Sequence, residues 1–296
     1  MPAAKHQPVV PVLDKKTGAT VDKVTGRILV GKERRQYGPA AWIRRFGWPW
    51  VEALHNIGTG VRFAALLLIR SGRAFRRPGL IIRQMRSVGV NTLVIILVSG
   101  LFVGFVLGLQ FYVLLARYGQ SQFLGAGVAL TLFRELGPVS AGLMFVGCAC
   151  TAMTAAIGLK KSSEQIAAME VMAVDPIALE LAPRLWAAII SLPLLTIYFD
   201  AIGIFGAYLI AVPQIGLDEG VFWTEMRTRV FFFEDFAMGI FKSVFFGVAA
   251  ALISLYEGYS CRPTAEGVAR ATTRTVIKGS LAVLGLNFVL TAFTIN

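Results

Sequence analysis

The chain has 296 residues, of which 56% are hydrophobic and 16% are charged, and its mean hydropathy is +0.67. Soluble domains carry about 25% charged residues, so this composition and its long apolar runs exclude an ordinary soluble enzyme and predict a membrane protein. The net charge of +12 is concentrated in residues 1–86, which hold 17 Lys and Arg against four acids. Basic residues ahead of the first apolar run predict a cytoplasmic N-terminus beside anionic lipid, and they favour this over nucleic acid binding.

Cysteine and histidine are too sparse to predict a metal site or a catalytic triad. Cys148, Cys150 and Cys261 match no disulfide or zinc spacing. The only histidines are His6 and His55. We therefore expect the cysteines to act as small apolar residues and the chain to bind no metal or cofactor directly.

Two segments precede the first apolar run. Residues 1–40 are polar and rich in Pro, Gly, Lys and Thr, which predicts a disordered extension. Residues 41–87 mix Trp and Phe with Arg, and their uninterrupted apolar run, Val61–Ile69, is too short to cross a bilayer. This pattern predicts an amphipathic helix in the cytoplasmic headgroup layer.

Five later runs are long and apolar enough to cross a bilayer. They are predicted at residues 88–116, 139–159, 185–212, 236–256 and 276–293. The connection at 213–235 carries five acids against two arginines, so we expect it outside the cell membrane. The sequence thus predicts an all-α membrane protein whose C-terminus lies outside.

The first span carries two regular stripes. One consists of Gly100, Gly104 and Gly108. Its four-residue repeat predicts helix packing in which another backbone approaches closely. The other stripe consists of Leu107, Phe111, Leu114, Leu115 and Tyr118. By itself such a stripe is typical of a lipid-facing or core surface.

Charged residues stand at or inside two of the spans. The run RELGP at 134–138 opens the second span, and Pro138 suits a first helical turn. Because charges at membrane depth are usually paired or face a cavity, Arg134 and Glu135 are either functional charges or interface anchors. Asp200 lies near the middle of the third span, where it is either a proton relay or paired with a neighbouring helix. The absence of an intramembrane histidine or second acid favours pairing.

A polar segment, Lys160–Pro176, separates the second and third spans. Ser162 and Gln165 have capping-box spacing, and Asp175 before a proline is expected to end the helix. The pattern predicts a helix of about three turns at 162–175. Its apolar ridge consists of Ile166, Met169 and Ala173. Such a helix offers this ridge and its carboxylates to something outside the membrane, and an ordinary connecting loop is the alternative.

Four motifs resemble the MlaE/YrbE family, whose members are ABC transporter permeases of the Mla phospholipid transport system and work with MCE proteins. The motifs are LFRELGPV (Leu132–Val139), EQIAAMEVMAVDP (Glu164–Pro176), PRLWAAIISLPLL (Pro183–Leu195) and ATTRTV (Ala271–Val276). The resemblance covers roughly residue 79 to the C-terminus, and the first forty residues look like an addition.

The resemblance implies a bacterial inner-membrane homodimer that moves phospholipid and maintains outer-membrane lipid asymmetry. Two permeases would sit on two cytoplasmic ABC ATPases beneath a periplasmic ring of MCE-domain proteins. ATP and magnesium would bind to the ATPase, so the chain itself would not be an enzyme.

The resemblance also assigns roles to residues. The helix at 162–175 would couple the permease to the ATPase, and its candidate contacts are Ser163, Glu164, Gln165, Ile166, Met169, Glu170 and Asp175. Phospholipid would occupy a cavity lined by the first span and the start of the second. The candidate lipid-binding residues are Leu107, Phe111, Leu114, Leu115, Tyr118, Arg134, Glu135 and Leu136.

Three alternatives are open at this stage. The permease could carry another lipid, such as a sterol. The chain could be an ion-coupled secondary transporter that uses Asp200, or a structural scaffold for a periplasmic complex. A co-purifying ATPase separates the ABC permease from the secondary transporter, and transport itself separates both from the scaffold.

Overall fold

The computed structural model describes residues 11–13, 20–22, 28–30, 58–72 and 78–295. These residues belong to two units that divide between Gly58 and Thr59. The predicted interfacial segment, 41–87, is therefore described only in part, and its position in the headgroup layer stays a prediction.

The first unit contains three short strands in an antiparallel sheet of order β1-β2-β3. They are β1 (Pro11–Leu13), β2 (Thr20–Asp22) and β3 (Ile28–Val30). Val12 pairs with Val21, and the register between β2 and β3 is irregular at Thr20 and Val21. Branched apolar residues concentrate in these runs, which favours strands. All three strands lie within residues 1–40, for which the sequence analysis predicts disorder.

The second unit is helical. Its short helices are α1 (residues 58–71), α4 (Gln165–Val171) and α6 (Glu219–Arg229). Its long helices are α2 (Pro78–Ala116), α3 (Ser121–Ser162), α5 (Ile177–Ala211), α7 (Phe232–Ser260) and α8 (Ala265–Ile295). All five long helices are long and apolar enough to cross a membrane. The predicted all-α architecture with five spanning helices is confirmed.

The five long helices alternate in direction, so their connections meet at two ends of the bundle. One end contains α4 and residues 261–264, and we call it the connector end after the segment that joins the second and third spanning helices. The opposite end contains residues 117–120 and α6. One of the two sites described below lies at the connector end, and the other lies at the opposite end.

The spanning helices are longer than predicted. The second span was predicted to begin at residue 139, but the helix α3 already begins at Ser121. The apolar run Phe123–Phe133 contains no proline, and the helix continues through it. The connection after α7 is short as well: α7 ends at Ser260 and α8 begins at Ala265, and Lys278 on α8 pairs with Glu257 on α7.

The glycine stripe on α2 packs against α5. A Cβ at Gly104 would overlap the carbonyl oxygen of Gly203, and one at Gly108 would lie 3.2 Å from the Cα of Ala207. Contacts therefore advance by four residues on both helices, which means that α2 and α5 run parallel. Without glycine at position 104 the two backbones could not reach this separation.

Candidate functional site

A cavity of about 720 Å³ lies at the opposite end of the bundle, between α3, α7 and α8. It is lined by Arg134, Glu135, Phe233, Glu234, Ala237, Met238, Phe241, Lys242 and Thr291. Charged and apolar side chains therefore line the same cavity, and its volume is in the range that binds small amphipathic ligands.

A buried lysine organises the cavity. Lys242 is only 2% exposed, and its ammonium donates to Oε1 of Glu135 at 2.7 Å, the carbonyl of Arg134 at 2.9 Å and the hydroxyl of Thr291 at 2.9 Å. The other carboxylate oxygen of Glu135 accepts from Asn287 at 3.0 Å. All three ammonium donors are used, so Lys242 ties α7 to both α3 and α8.

One of these acceptors is the backbone carbonyl of Arg134 on α3, and a nearby proline explains why it is available. In a regular helix, the carbonyl of Arg134 would accept from the N–H of residue 138, but Pro138 has no N–H. The helix widens into a π-helical turn at Leu132–Leu136 immediately before this proline. Lys242 donates to the carbonyl that is left, so a buried backbone acceptor is satisfied.

A second ion pair orients Arg134 at the rim. Its Nε lies 2.5 Å from Oδ1 of Asp235, which is fully buried, whereas the Arg134 side chain is 56% exposed. The other oxygen of Asp235 accepts from the N–H of Phe231 at 2.8 Å. Asp235 is thus fixed by the backbone, and it holds the guanidinium of Arg134 with its outer edge toward the cavity.

The predicted lipid-binding residues divide between two places. Arg134 and Glu135 line the cavity, whereas Leu136 packs against the core of the bundle. The stripe on α2 is not part of this cavity: Leu107, Phe111 and Leu115 are partly buried against the core, and Leu114 and Tyr118 are exposed. Phe111 lies flat against Gly127 of α3.

Asp200 occupies the seam between α5 and α3. It is 3% exposed, and its Oδ1 has no hydrogen-bond partner in the part of the chain that the structure describes. A Cβ at Gly137 would overlap this oxygen. The pairing with a neighbouring helix expected for Asp200 is therefore absent for Oδ1, and the side chain contacts the backbone of α3 at a glycine.

At the connector end, the predicted helix is shorter than expected. α4 spans Gln165–Val171, not 162–175. Residues with left-handed backbone, Glu164 (φ 58°) and Ala173 (φ 57°), flank it and break it from its neighbours. Left-handed backbone is costly for residues other than glycine, so these corners are held by the surrounding packing.

The predicted capping box at Ser162 and Gln165 is wrong. Ser162 is the last residue of α3, and its hydroxyl donates back to the carbonyl of Leu159 at 2.9 Å; Ser163 does the same. Asp175 does not end a helix but begins one, because its Oδ1 accepts from the N–H of Ile177 at the start of α5. The capping-box spacing gave a wrong prediction because the two serines stand at the end of a continuous helix, and their hydroxyls donate to its carbonyls instead.

Two residues of the predicted apolar ridge of α4 face the bundle, whereas the third, Ala173, lies beyond the end of the helix and is exposed. Ile166 is 6% exposed, and Met169 packs against the same core. The outward surface instead carries the exposed Gln165 and Glu170, with Val171 (88% exposed) and Met172 (66% exposed) at its end. The pair Val171 and Met172 is an exposed apolar surface that the sequence analysis did not single out.

A groove of about 410 Å³ separates α4 from the end of α1. The guanidinium of Arg70 on α1 bridges it to Asp175 at 2.8 Å, and Glu170 and Tyr259 line its walls. This ion pair connects α1 to the connector between the second and third spanning helices.

The sequence analysis did not predict Lys242 and Thr291, which line the cavity, or Asp235, which pairs with Arg134 at its rim. Lys242 is a single charge in the apolar run 236–256, and the cost of such a charge could have marked it as paired or functional. Its partner Glu135 lies 107 positions away, so no local spacing links the two.

The chain is similar to known permease proteins. Residues 81–293 match the family model described as Permease MlaE. The chain is 52% identical over 213 residues to the intermembrane phospholipid transport system permease protein MlaE of Haemophilus influenzae, covering 72% of this chain and 82% of that protein. A probable ABC transporter permease protein of Rickettsia felis is 36% identical over 214 residues, with the same shares covered. TRIGALACTOSYLDIACYLGLYCEROL 1 of Arabidopsis chloroplasts is 28% identical over 212 residues, which is 72% of this chain and 60% of that protein.

Proposed function

The chain belongs to the MlaE permease family, and we propose that it is the membrane-spanning subunit of an ABC transporter that moves phospholipid between the inner membrane and a periplasmic MCE pathway. The observation that carries this proposal is the cavity at the opposite end. It combines a charged rim at Arg134 with apolar walls at Met238 and Phe241, which is the combination that a phospholipid presents. The relative from Haemophilus influenzae carries the same activity in its name.

The distribution of charge supports an orientation. Residues 1–86 hold 17 of the 29 Lys and Arg, so the N-terminus and the connector end are cytoplasmic under the positive-inside rule. Five spans then put the C-terminus and the cavity on the periplasmic side. The acidic segment before α7 lies on that side as well, in agreement with the rule.

The geometry of the cavity supports a specific set of lipid contacts. The outer edge of Arg134 meets the phosphate of the headgroup, because guanidinium binds phosphate through paired N–H donors. Lys242 and Glu135 neutralise each other beneath the rim and keep the helices in place. Acyl chains leave the cavity past Phe233 and Phe241 toward the bilayer.

ATP is bound and hydrolysed by a separate cytoplasmic partner, whose subunits dock on α4. Val171 and Met172 are the apolar centre of that contact, with Glu164, Gln165 and Glu170 around it. Closure of the ATPase pair moves α4, and the movement reaches the spanning helices through Ile166 and Met169, which α4 buries in the bundle. Two copies of the chain and a periplasmic ring of MCE-domain proteins complete the transporter.

The proposal is tested on the full chain, purified in mild detergent from its own membranes. Mass spectrometry of the sample is expected to find an ABC ATPase, an MCE protein and bound phospholipid. The purified complex, reconstituted in liposomes, should transfer labelled phospholipid only when ATP is supplied.

Two results would overturn it. One is a chain that carries a sterol and no phospholipid. The other is transport that follows a proton gradient without ATP and is lost in Asp200→Asn, which would make the chain a secondary transporter.

A further inference from the structure

The cavity contains more acid than its basic residues can neutralise. Each of its two cations already has a carboxylate partner: Lys242 pairs with Glu135, and Arg134 pairs with Asp235. Glu234 is the acid left over, since it takes part in no ion pair or hydrogen bond among the described residues. The cavity and its paired partners therefore carry a formal charge of −1.

The remaining hydrogen-bond donors for a phosphate are few. Lys242 has used all three of its donors and is 2% exposed, so it offers none to a ligand. Arg134 has used its Nε, and its side chain is 56% exposed. The two terminal nitrogens of Arg134 can bind one phosphate group, and among the described residues no second cation with free donors lines the cavity.

The surroundings of Glu234 suit a cation. Glu234 is exposed at the start of α7 and lines the cavity beside Phe233, which is 84% exposed. Phe241, which is 52% exposed, lines the same cavity further along α7. A carboxylate next to aromatic rings binds an ammonium group through charge and through the ring faces.

We propose that the cavity selects phospholipids whose headgroup carries both a phosphate and an ammonium group, with Arg134 binding the phosphate and Glu234 binding the ammonium. This inference rests on the proposed function and names the substrate class for the same site. A zwitterionic headgroup such as phosphoethanolamine satisfies both residues. An anionic headgroup such as phosphoglycerol leaves Glu234 without a partner and places its uncharged hydroxyls there.

The test measures which lipid the complex retains. The purified full complex is incubated with an equimolar mixture of phosphatidylethanolamine and phosphatidylglycerol in detergent, washed, and its bound lipid is quantified by mass spectrometry. An exposed charge pair contributes only modestly to binding, so we expect about threefold more phosphatidylethanolamine than phosphatidylglycerol on the unmodified protein. Glu234→Gln should bring the ratio to about one, and Glu234→Lys should invert it.

Glu225→Gln is the matched control, because Glu225 is an acid of α6 that lies outside the cavity lining. It should keep the ratio of the unmodified protein. Bound phospholipid in equal amounts of both kinds, or a ratio that Glu234→Lys does not change, overturns the inference but leaves the proposed function intact. Absence of any bound phospholipid from the unmodified complex overturns both.

Discussion

Lys242 donates to the carbonyl of Arg134 the hydrogen bond that Pro138, four residues further along the same helix, cannot donate. The lysine is on α7 and the proline on α3, so a gap in one helix becomes an attachment point for another. The ion pair with Glu135 adds to this attachment: the lysine is buried, and the carboxylate side chain is 39% exposed.

Removal of the lysine should therefore destabilise the bundle. We expect Lys242→Met to lower the free energy of unfolding by about 2–4 kcal/mol, because the carboxylate of Glu135 loses its cation and the carbonyl of Arg134 loses its donor. Thermal unfolding of the purified protein in detergent measures the change. The double variant with Glu135→Gln should recover part of the loss, since it leaves no unpaired charge.

Lys160→Met is a matched control for this substitution. Lys160 pairs with Glu180, but Glu180 keeps a second partner in Arg184 at 3.2 Å. The control should lose less than about 1 kcal/mol. Equal losses for Lys160→Met and Lys242→Met would contradict the special role given to Lys242.

The glycine stripe predicts a steric effect. Gly104→Ala should cost about 1–3 kcal/mol, because the added methyl group overlaps the carbonyl of Gly203 and forces α2 away from α5. The yield of monodisperse protein and its unfolding temperature report the effect. Gly285→Ala, where an added Cβ meets nothing within 4 Å, should be close to neutral; an equal loss there would show that glycine content alone matters.

The apolar end of α4 predicts where the ATPase binds. Val171→Asp should reduce co-purification of the ATPase at least about tenfold, since a carboxylate in an apolar contact loses its hydration. Bound phospholipid in the separated permease should be unchanged, because Val171 is far from the cavity lining. Val221→Asp on α6 introduces the same charge at the opposite end and should leave ATPase binding intact. An ATPase that still binds Val171→Asp would exclude this surface as the docking site.

A prediction at Asp200 separates the effect of side-chain shape from the effect of side-chain ionisation. Asn has nearly the same shape as Asp, so Asp200→Asn should keep the contact with Gly137 and leave ATP-driven phospholipid transfer within about twofold. Gly137→Ala should be strongly destabilising, because the methyl group overlaps Oδ1 of Asp200. Transfer assays and unfolding temperatures distinguish the two variants, and loss of transfer in Asp200→Asn alone would assign a role to its ionisation.

The sequence predicts the spanning helices well because long apolar runs can hardly form anything else in a bilayer. It also marks Arg134 and Glu135, since adjacent charges at the mouth of a span are costly. It does not predict Lys242, whose single charge is averaged away in an apolar run and whose partners come from two other helices.

The sequence also fails to predict which face of α4 meets the bundle. Ile166, Met169 and Val171 are all apolar, so composition does not say which of them faces the bundle. The left-handed residues Glu164 and Ala173 decide the direction of the short helix, and neither is a residue type that predicts such a conformation. Packing around the connector determines it.

The contact of Gly104 with Gly203 also limits how the protein moves. No side chain separates the two backbones there, so there is no soft layer in which α2 and α5 could slide or tilt against each other. We therefore expect α2 and α5 to move together as one unit. Any widening or closing of the cavity during a transport cycle should then be carried by movements of α3, α7 and α8 relative to this pair.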